Sequence, residues 1–158
     1  MTETANPQGQ RQIMVQRIYL KDCSLEIPHA PQIFARQWTP EVDVQMGTSV
    51  TALEADHFNV MLSVTVTSKL GNDVAFLAEC HQAGVFLARG FQAGELQMVL
   101  ATFAPHTLFP FAREAITGMV MRAGFPPLVL QPVNFDALYA EHMMRNQAQG
   151  TPAGITTQ

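Results

Sequence analysis

The first half of the chain alternates between apolar and polar residues with a period of two. Residues 42–52, 58–66 and 74–80 place apolar side chains on one parity and mostly polar side chains on the other. Alternation of this kind is typical of β-strands with one buried face. The turn-like segments 54–57 and 70–73 separate the three stretches. We therefore expect an antiparallel meander.

An earlier strand is predicted over residues 13–27, where the apolar parity switches. Ile18 and Leu20 fall on even numbers, whereas Cys23, Leu25 and Ile27 fall on odd numbers. A β-bulge near residues 21–22 would explain the switch. Beyond the bulge, the outward parity holds Asp22, Ser24 and Glu26. Residues 28–40 then form a long connection that carries Phe34 and Trp38, and connections of this length are often functional.

The second half changes to a helical period. A short helix over residues 96–103 is predicted to end at Pro105, and a second helix to run from Pro110 to Ala123. The second helix carries an apolar stripe of Phe111, Ala112, Ala115, Ile116, Met119 and Val120. Asn134 is a good N-cap for a last helix, whose apolar face holds Phe135, Leu138, Tyr139, His142 and Met143. Strands followed by helices predict an α+β domain with the helices on one face of the sheet.

Composition favours an assembly or an apolar-binding function over a free monomer. Of the 158 residues, 47% are hydrophobic and 14% are charged, where about 25% charged is typical. Nine methionines are present, and methionine suits adaptable binding surfaces. The length predicts one domain, over residues 12–147, between disordered tails at residues 1–11 and 148–158.

Charge and cysteine content exclude several classes of partner and site. The net charge of −4 comes with no basic patch, so we expect no nucleic-acid partner. Cys23 and Cys80 form no CxxC pair and are expected to be reduced core thiols, with a disulfide as the less favoured alternative. Charges and prolines interrupt the apolar stretch 109–135, and the N-terminus has no apolar signal region. We therefore expect no membrane insertion and a cytoplasmic location.

No catalytic or cofactor motif stands out in the sequence. The five histidines are scattered, at His29, His57, His81, His106 and His142. No GxSxG, HExxH or P-loop pattern is present. A metal site assembled from distant ligands remains an alternative, but we expect neither an enzyme nor a cofactor.

Several segments taken together resemble one known family. "QRIYLKDCSLEIPHAP", "WTPEV", "SVTVTSKLG", "LFPFAREAI" and "GFPPLVLQPVNFDALY" occur in order between residues 14 and 144. The set resembles the SecB family of protein-export chaperones. The resemblance implies a four-stranded antiparallel sheet backed by helices, assembled as a dimer of dimers. It also implies that the chain keeps precursor proteins unfolded and delivers them to the SecA motor, without nucleotide or metal.

The resemblance also implies three sets of site residues. The client-binding set is Phe34, Trp38, Val42, Val44, Met46, Leu138, Tyr139 and Met143. The SecA-binding set, which outward strand parity also groups, is Asp22, Glu26, Leu77 and Glu79. The oligomer-interface set is Phe111, Ile116, Met119 and Met121, with the helix 110–123 as the tetramer-forming element.

Some alternatives remain open at this point. Part of the client-binding set would, on the alternative, simply fill the core of one chain. The chain lacks an acidic residue after Glu141, so a contribution of the C-terminal tail to SecA binding is in doubt. A SecB-like chaperone dedicated to one client, such as an antitoxin, is the main rival function. A small enzyme or carrier for an apolar ligand is another.

Overall fold

The alternating half of the chain folds into one antiparallel sheet of four strands. A computed structural model describes residues 10–149. Its strands are β1 (Gln12–Glu26), β2 (Glu41–Ala52), β3 (His57–Leu70) and β4 (Asp73–Arg89), in the spatial order β1-β4-β3-β2. Two helices follow, α1 (Ala93–Arg122) and α2 (Phe135–Gln149). The predicted α+β class and antiparallel meander are confirmed.

Turn chemistry and a bulge set the register of the sheet. Gly71 has a φ of 61° in the β3–β4 turn, and Ala55 and Asp56 also have positive φ values between β2 and β3. A register shift between Leu20 and Asp22 confirms the predicted bulge. A second shift, which was not predicted, lies between Val15 and Arg17.

The core lies between the inner strands and α1. One row of buried residues on α1 recurs every four positions: Leu100, Ala104, Leu108, Ala112, Ile116 and Val120. A row with this spacing is inclined to the helix axis, and such rows pack into the grooves of a neighbouring surface. One face of β3 and β4 supplies the other side of the core, including Val64, Val66, Phe76 and Phe86.

The prediction of two helices before residue 123 was wrong. Residues 93–122 form one continuous helix that includes Pro105 and Pro110. An interior proline removes one backbone hydrogen bond and costs about 3 kcal/mol. The buried row continues on both sides of Pro105, and Pro105 itself is buried. Tertiary packing therefore outweighs the local preference to end the helix.

Other local predictions have mixed outcomes. The side-chain oxygen of Asn134 accepts a hydrogen bond from the backbone N–H of Ala137 at 3.0 Å, which confirms the N-cap of α2. Cys80 is buried as predicted, but Cys23 is exposed. Phe111, which belongs to the apolar stripe of the second predicted helix and to the expected oligomer interface, is also exposed. Cys23 lies on β1, which is an edge strand of the sheet.

The ends of the chain are only partly described. The predicted tails over residues 1–11 and 148–158 fall mostly outside residues 10–149, and residues 148–149 belong to α2. Within residues 10–149, no helix has the length and apolar character that crossing a membrane requires. The domain limits 12–147 stay a prediction.

Candidate functional site

Strand β2 is exposed along its whole length. Its apolar row, defined as Val42, Val44, Met46 and Val50, is 36–45% exposed. Directly opposite these residues on β3 are Ser68, Val66, Val64 and Val60, each fully buried. Opposed residues in an antiparallel pair point to the same face. The apolar row therefore continues the core layer but lies beyond the cover that α1 provides.

A groove separates β2 from the two helices. It has a volume of about 720 Å³. Its apolar wall is formed by Met46 and Val50 of β2, Leu96, Leu100 and Ala101 of α1, and Phe135, Leu138 and Tyr139 of α2. Polar and charged groups also line it, namely Thr48, Gln97, Glu141, His142 and Arg145. A concave, mostly apolar lining with a few polar groups is typical of binding sites.

Helix α2 is attached to the rest of the chain at its first turn. Phe135 is 6% exposed, and its ring meets that of Phe109 edge-on at 6.0 Å. Asn134 caps the same turn. Beyond it, Leu138 is 47% exposed, and Glu141 pairs with Arg145 on the helix surface. Tyr139 and Met143 are half-buried further along, so α2 forms one wall of an open groove.

Four aromatic rings cluster at the opposite end of the apolar row. Phe125 is at the centre of this aromatic cluster, with ring centroids 5.0 Å from Phe34, 5.1 Å from Trp38 and 5.1 Å from Phe76. Trp38 also stacks on Phe76 at 6.5 Å. Phe76 lies opposite Ser68, which lies opposite Val42 at the start of the row. One apolar surface thus runs from the aromatic cluster along β2 to the groove.

The structure brings most of the expected client-binding residues onto this surface. Met46, Leu138 and Tyr139 line the groove. Val42 and Val44 belong to the apolar row, and Phe34 and Trp38 belong to the aromatic cluster. Met143 is half-buried on α2 but does not line the groove. The exposure of Val42 and Val44 argues against the alternative that they only fill the core of one chain.

Sequence reasoning missed several residues that build this surface. Phe76 and Phe125 complete the aromatic cluster, and Leu96 and Leu100 form the α1 wall of the groove. The pattern of β4 placed Phe76 on the buried face, which was correct but gave no sign of its aromatic partners. The helix expected at residues 96–103 could have indicated the α1 wall if its face had been paired with β2.

The opposite face of the sheet carries an acidic surface. Glu26 lies opposite Leu77, Leu77 opposite Thr67, and Thr67 opposite Asp43. The neighbouring row holds Ser24, Glu79, Thr65 and Gln45, and Thr65 donates a hydrogen bond of 3.4 Å to Glu79. Asp22 lies one step further along β1, opposite His81.

Strand pairing therefore joins the four residues expected on this face. We call Asp22, Glu26, Asp43, Leu77 and Glu79 the acidic face. Sequence reasoning missed Asp43, because parity assigns a residue to a face but does not give the register between strands. Leu77 is half-buried among its acidic neighbours, which leaves a small apolar area at the centre of the surface.

The outer side of α1 also exposes large apolar side chains. Phe103, Phe111 and Met121 are 40–55% exposed, and Met119 is half-buried. Ile116, which was expected at an interface between chains, is fully buried in the core of one chain. That expectation was wrong for Ile116, because the four-residue row of α1 turns this position toward the sheet.

The groove and the acidic face present different chemistry. Among residues 10–149, no three His, Cys, Asp or Glu side chains lie close enough together to hold a metal ion. The groove presents apolar side chains with a mixed-charge rim, and the opposite sheet face presents carboxylates around one leucine. Both arrangements suit recognition of other polypeptides.

Comparisons with known proteins agree with the observed fold. The sequence model described as preprotein translocase subunit SecB matches residues 6–146. The protein-export protein SecB of Thioalkalivibrio sulfidiphilus is 47% identical, over 99% of this chain and 99% of its own. That of Stutzerimonas stutzeri is 46% identical, over 95% of this chain and 96% of its own.

One solved structure has a similar fold at low sequence identity. It is a Mycobacterium tuberculosis SecB-like chaperone in complex with a peptide from an antitoxin. The match has a TM-score of 0.65 and 22% identity, and covers 77% of this chain and 90% of that chain. At this identity the likeness shows the fold alone.

Proposed function

The chain belongs to the SecB family of protein-export chaperones, and we propose that it binds unfolded precursor proteins along the apolar row and in the groove. The observation that carries this proposal is the exposure of β2, whose apolar side chains continue the core but are uncovered. Exposed apolar area of this kind marks interaction sites. Unfolded chains share exposed apolar side chains, so such a surface binds them without a sequence code.

Both ends of this surface have features that suit an extended client. The aromatic cluster offers flat rings for a large apolar side chain, and the groove offers apolar walls with a polar rim. Many weak contacts along one client add up through effective concentration. Release then requires only a competing partner, which fits a chaperone without cofactor or nucleotide chemistry.

A charge placed in the groove tests the client site. Leu138→Asp should weaken holding of an unfolded precursor by roughly tenfold, because a buried apolar contact at a binding site contributes on the order of 1–2 kcal/mol. Met144→Asp is the matched control, since Met144 is 70% exposed on the same helix but does not line the groove. Affinity is measured by titration with a labelled, unfolded precursor. Equal affinities for the two variants would place the client elsewhere.

The export role is favoured over a chaperone dedicated to one client. The relatives named protein-export protein SecB are 46–47% identical over nearly the whole chain, whereas the antitoxin-bound chaperone is 22% identical. We infer that clients are several unrelated precursors and that the chain acts in the cytoplasm. Comparable holding of two unrelated unfolded precursors supports this role, and holding of only one contradicts it.

We propose that the acidic face binds a basic surface of SecA. Its carboxylates attract opposite charge, and Leu77 adds a short-range apolar contact. Attraction between charges speeds encounter and weakens as salt rises. Glu79→Lys should therefore weaken SecA binding, while Glu54→Lys, in the turn at the far end of β2, should not. Titration with SecA at two salt concentrations gives the measurement, and equal binding by both variants would contradict the assignment.

We also propose that the exposed side of α1 mediates assembly into a tetramer. A single chain leaves apolar side chains uncovered on this side, namely Phe103, Phe111 and Met121. Four chains of 17.4 kDa would sediment at about 70 kDa. Met121→Asp should yield smaller species, because an unpaired charge is costly to bury. A wild-type mass of one chain, or an unchanged mass in the variant, would contradict the proposal.

A further inference from the structure

The two cysteines of the chain lie directly opposite one another in the sheet. Cys23 of β1 pairs in register with Cys80 of β4. The flanking pairs, Asp22 with His81 and Ser24 with Glu79, are regular, so the register shift before Asp22 leaves this part of the ladder intact. Opposed residues share a face, with Cα atoms about 4.5–5.5 Å apart. Disulfides span Cα separations of roughly 4.4–6.8 Å, which neighbouring strands provide.

The two thiols have very different surroundings. Cys23 is exposed on the edge strand, whereas Cys80 is fully buried on an inner strand. Burial, with a smaller contribution from Cys23, raises the pKa of the Cys80 thiol to about 11. The reactive form of a cysteine is the thiolate. An oxidant in solution therefore reaches Cys23 first, and Cys80 reacts only with a partner that is already beside it.

We propose that Cys23 and Cys80 form a reversible cross-strand disulfide that fixes the edge strand β1 to β4. The oxidant is a low-molecular-weight disulfide such as oxidised glutathione. The Cys23 thiolate attacks one of its sulfur atoms and releases one glutathione thiolate. The Cys80 thiolate then attacks the Cys23 sulfur of the mixed disulfide and releases the second. In sum, two protein thiols lose two electrons and two protons, and one disulfide is reduced to two thiols.

The bond has a defined structural consequence. It closes a loop of roughly 60 residues, and a closure of that length restricts the unfolded chain strongly. We expect the melting temperature of the oxidised protein to rise by about 5–10 °C. Because the sheet order is β1-β4-β3-β2, the nearer half of the bond, on β4, lies two strand spacings, about 9–10 Å, from β2. Client holding should therefore be the same in the oxidised and reduced protein.

The test uses the full chain with oxidised glutathione, followed by mass spectrometry without reduction. We expect an early adduct of one glutathione on Cys23, then a product 2 Da lighter than the reduced chain, in line with the loss of two hydrogen atoms. Trypsin should release peptides 22–36 and 70–89 as one linked species. Cys80→Ala should keep the Cys23 adduct, and Cys23→Ser should gain none.

Each other outcome contradicts the proposal. A lasting adduct on wild-type Cys23 would show that Cys80 does not reach it. A link between Cys23 residues of two chains, seen as a dimer on a non-reducing gel, would show that the exposed thiol pairs elsewhere. If Cys80→Ala fails to fold, Cys23→Ser still tests the proposal. A glutathione adduct on Cys80 in that variant would contradict the expectation that burial protects Cys80 from the oxidant. Altered client holding after oxidation would contradict the proposed independence of client binding on β2 from the disulfide between β1 and β4.

Discussion

Strands β2 and β3 have the same alternating pattern but opposite burial. On β3 the apolar residues Val60, Leu62, Val64 and Val66 are fully buried. On β2 every residue is exposed, including the apolar row. Val44 and Val66 are opposed residues of the same type on the same face, yet they are 36% and 0% exposed. Alternation thus reports which way a side chain points, and not whether anything covers it.

The difference arises from where α1 lies. The buried row of α1 packs over β3 and β4, which are the inner strands of the sheet. β2 is an edge strand beyond that cover, and the one buried side chain of α2, among its residues 135–149, is Phe135 in its first turn. A protein that needed only stability would be expected to cover this row or replace it with polar residues. Its retention is consistent with a surface kept for polypeptide binding.

The largest expected effect is a difference in stability between two matched substitutions. Val66→Asp places an unpaired charge in the core and should lower the free energy of unfolding by about 4 kcal/mol or more. Val44→Asp puts the same charge on the exposed partner and should cost about 1 kcal/mol or less. Urea unfolding followed by circular dichroism gives both values. Similar losses for the two variants would show that β2 is covered in solution.

A second comparison separates the anchored and free parts of the aromatic cluster. Trp38→Ala should cost about 3 kcal/mol, because Trp38 is half-buried and packs on both Phe76 and Phe125. Phe34→Ala should cost about 1 kcal/mol, because Phe34 is 47% exposed. The two free energies of unfolding are measured in the same way. A larger loss for Phe34 would mean that this ring supports the fold more than its exposure indicates.

Local chemistry predicted much of the fold from the sequence. The faces of the strands, the bulge after Leu20 and the cap at Asn134 each depend on residues close together in the chain. The break expected at Pro105 failed, because its local penalty competes with packing against a distant sheet. Fold class followed correctly, since it depends on the order of patterns rather than on any single boundary.

The candidate site was less predictable because it depends on register and cover. Parity placed Asp22 and Glu79 on the outward face, but only the pairing of β2 with β3 adds Asp43. The client-binding set came mainly from family resemblance. Physical reasoning could not assign Ile116 to the core rather than an interface, because both settings favour an apolar side chain. The position of one helix relative to the sheet decides such cases.

A third prediction compares the thiols of an inner and an edge strand. The pKa of Cys80 is about 11 in the folded chain and 9.0 is its ordinary value, so the unfolded chain binds fewer protons between these pH values. The contribution of the Cys80 thiol to the free energy of unfolding should therefore be fully present below pH 9. It should fall by about 2 kcal/mol as the pH rises to 11. Cys80→Ala should remove this part of the pH dependence, and Cys23→Ser should leave most of it. Unfolding under reducing conditions at pH 8, 9.5 and 11 measures it, and parallel curves for wild type and Cys80→Ala would contradict the prediction.

The smallest expected effect concerns binding on the two faces of β2. Val44 and Gln45 are neighbours that point to opposite sides of the strand, Val44 with the apolar row and Gln45 beside the acidic face. Val44→Asp should weaken client binding by roughly tenfold at little loss of stability, because it puts a charge on the contact surface. Gln45→Asp adds the same charge to the same strand and should leave client binding unchanged. Titration of both variants with one unfolded precursor makes the comparison. If Gln45→Asp impaired holding as much as Val44→Asp, the effect would come from net charge rather than from the face. The exposure of the apolar row would then not support its role in client binding.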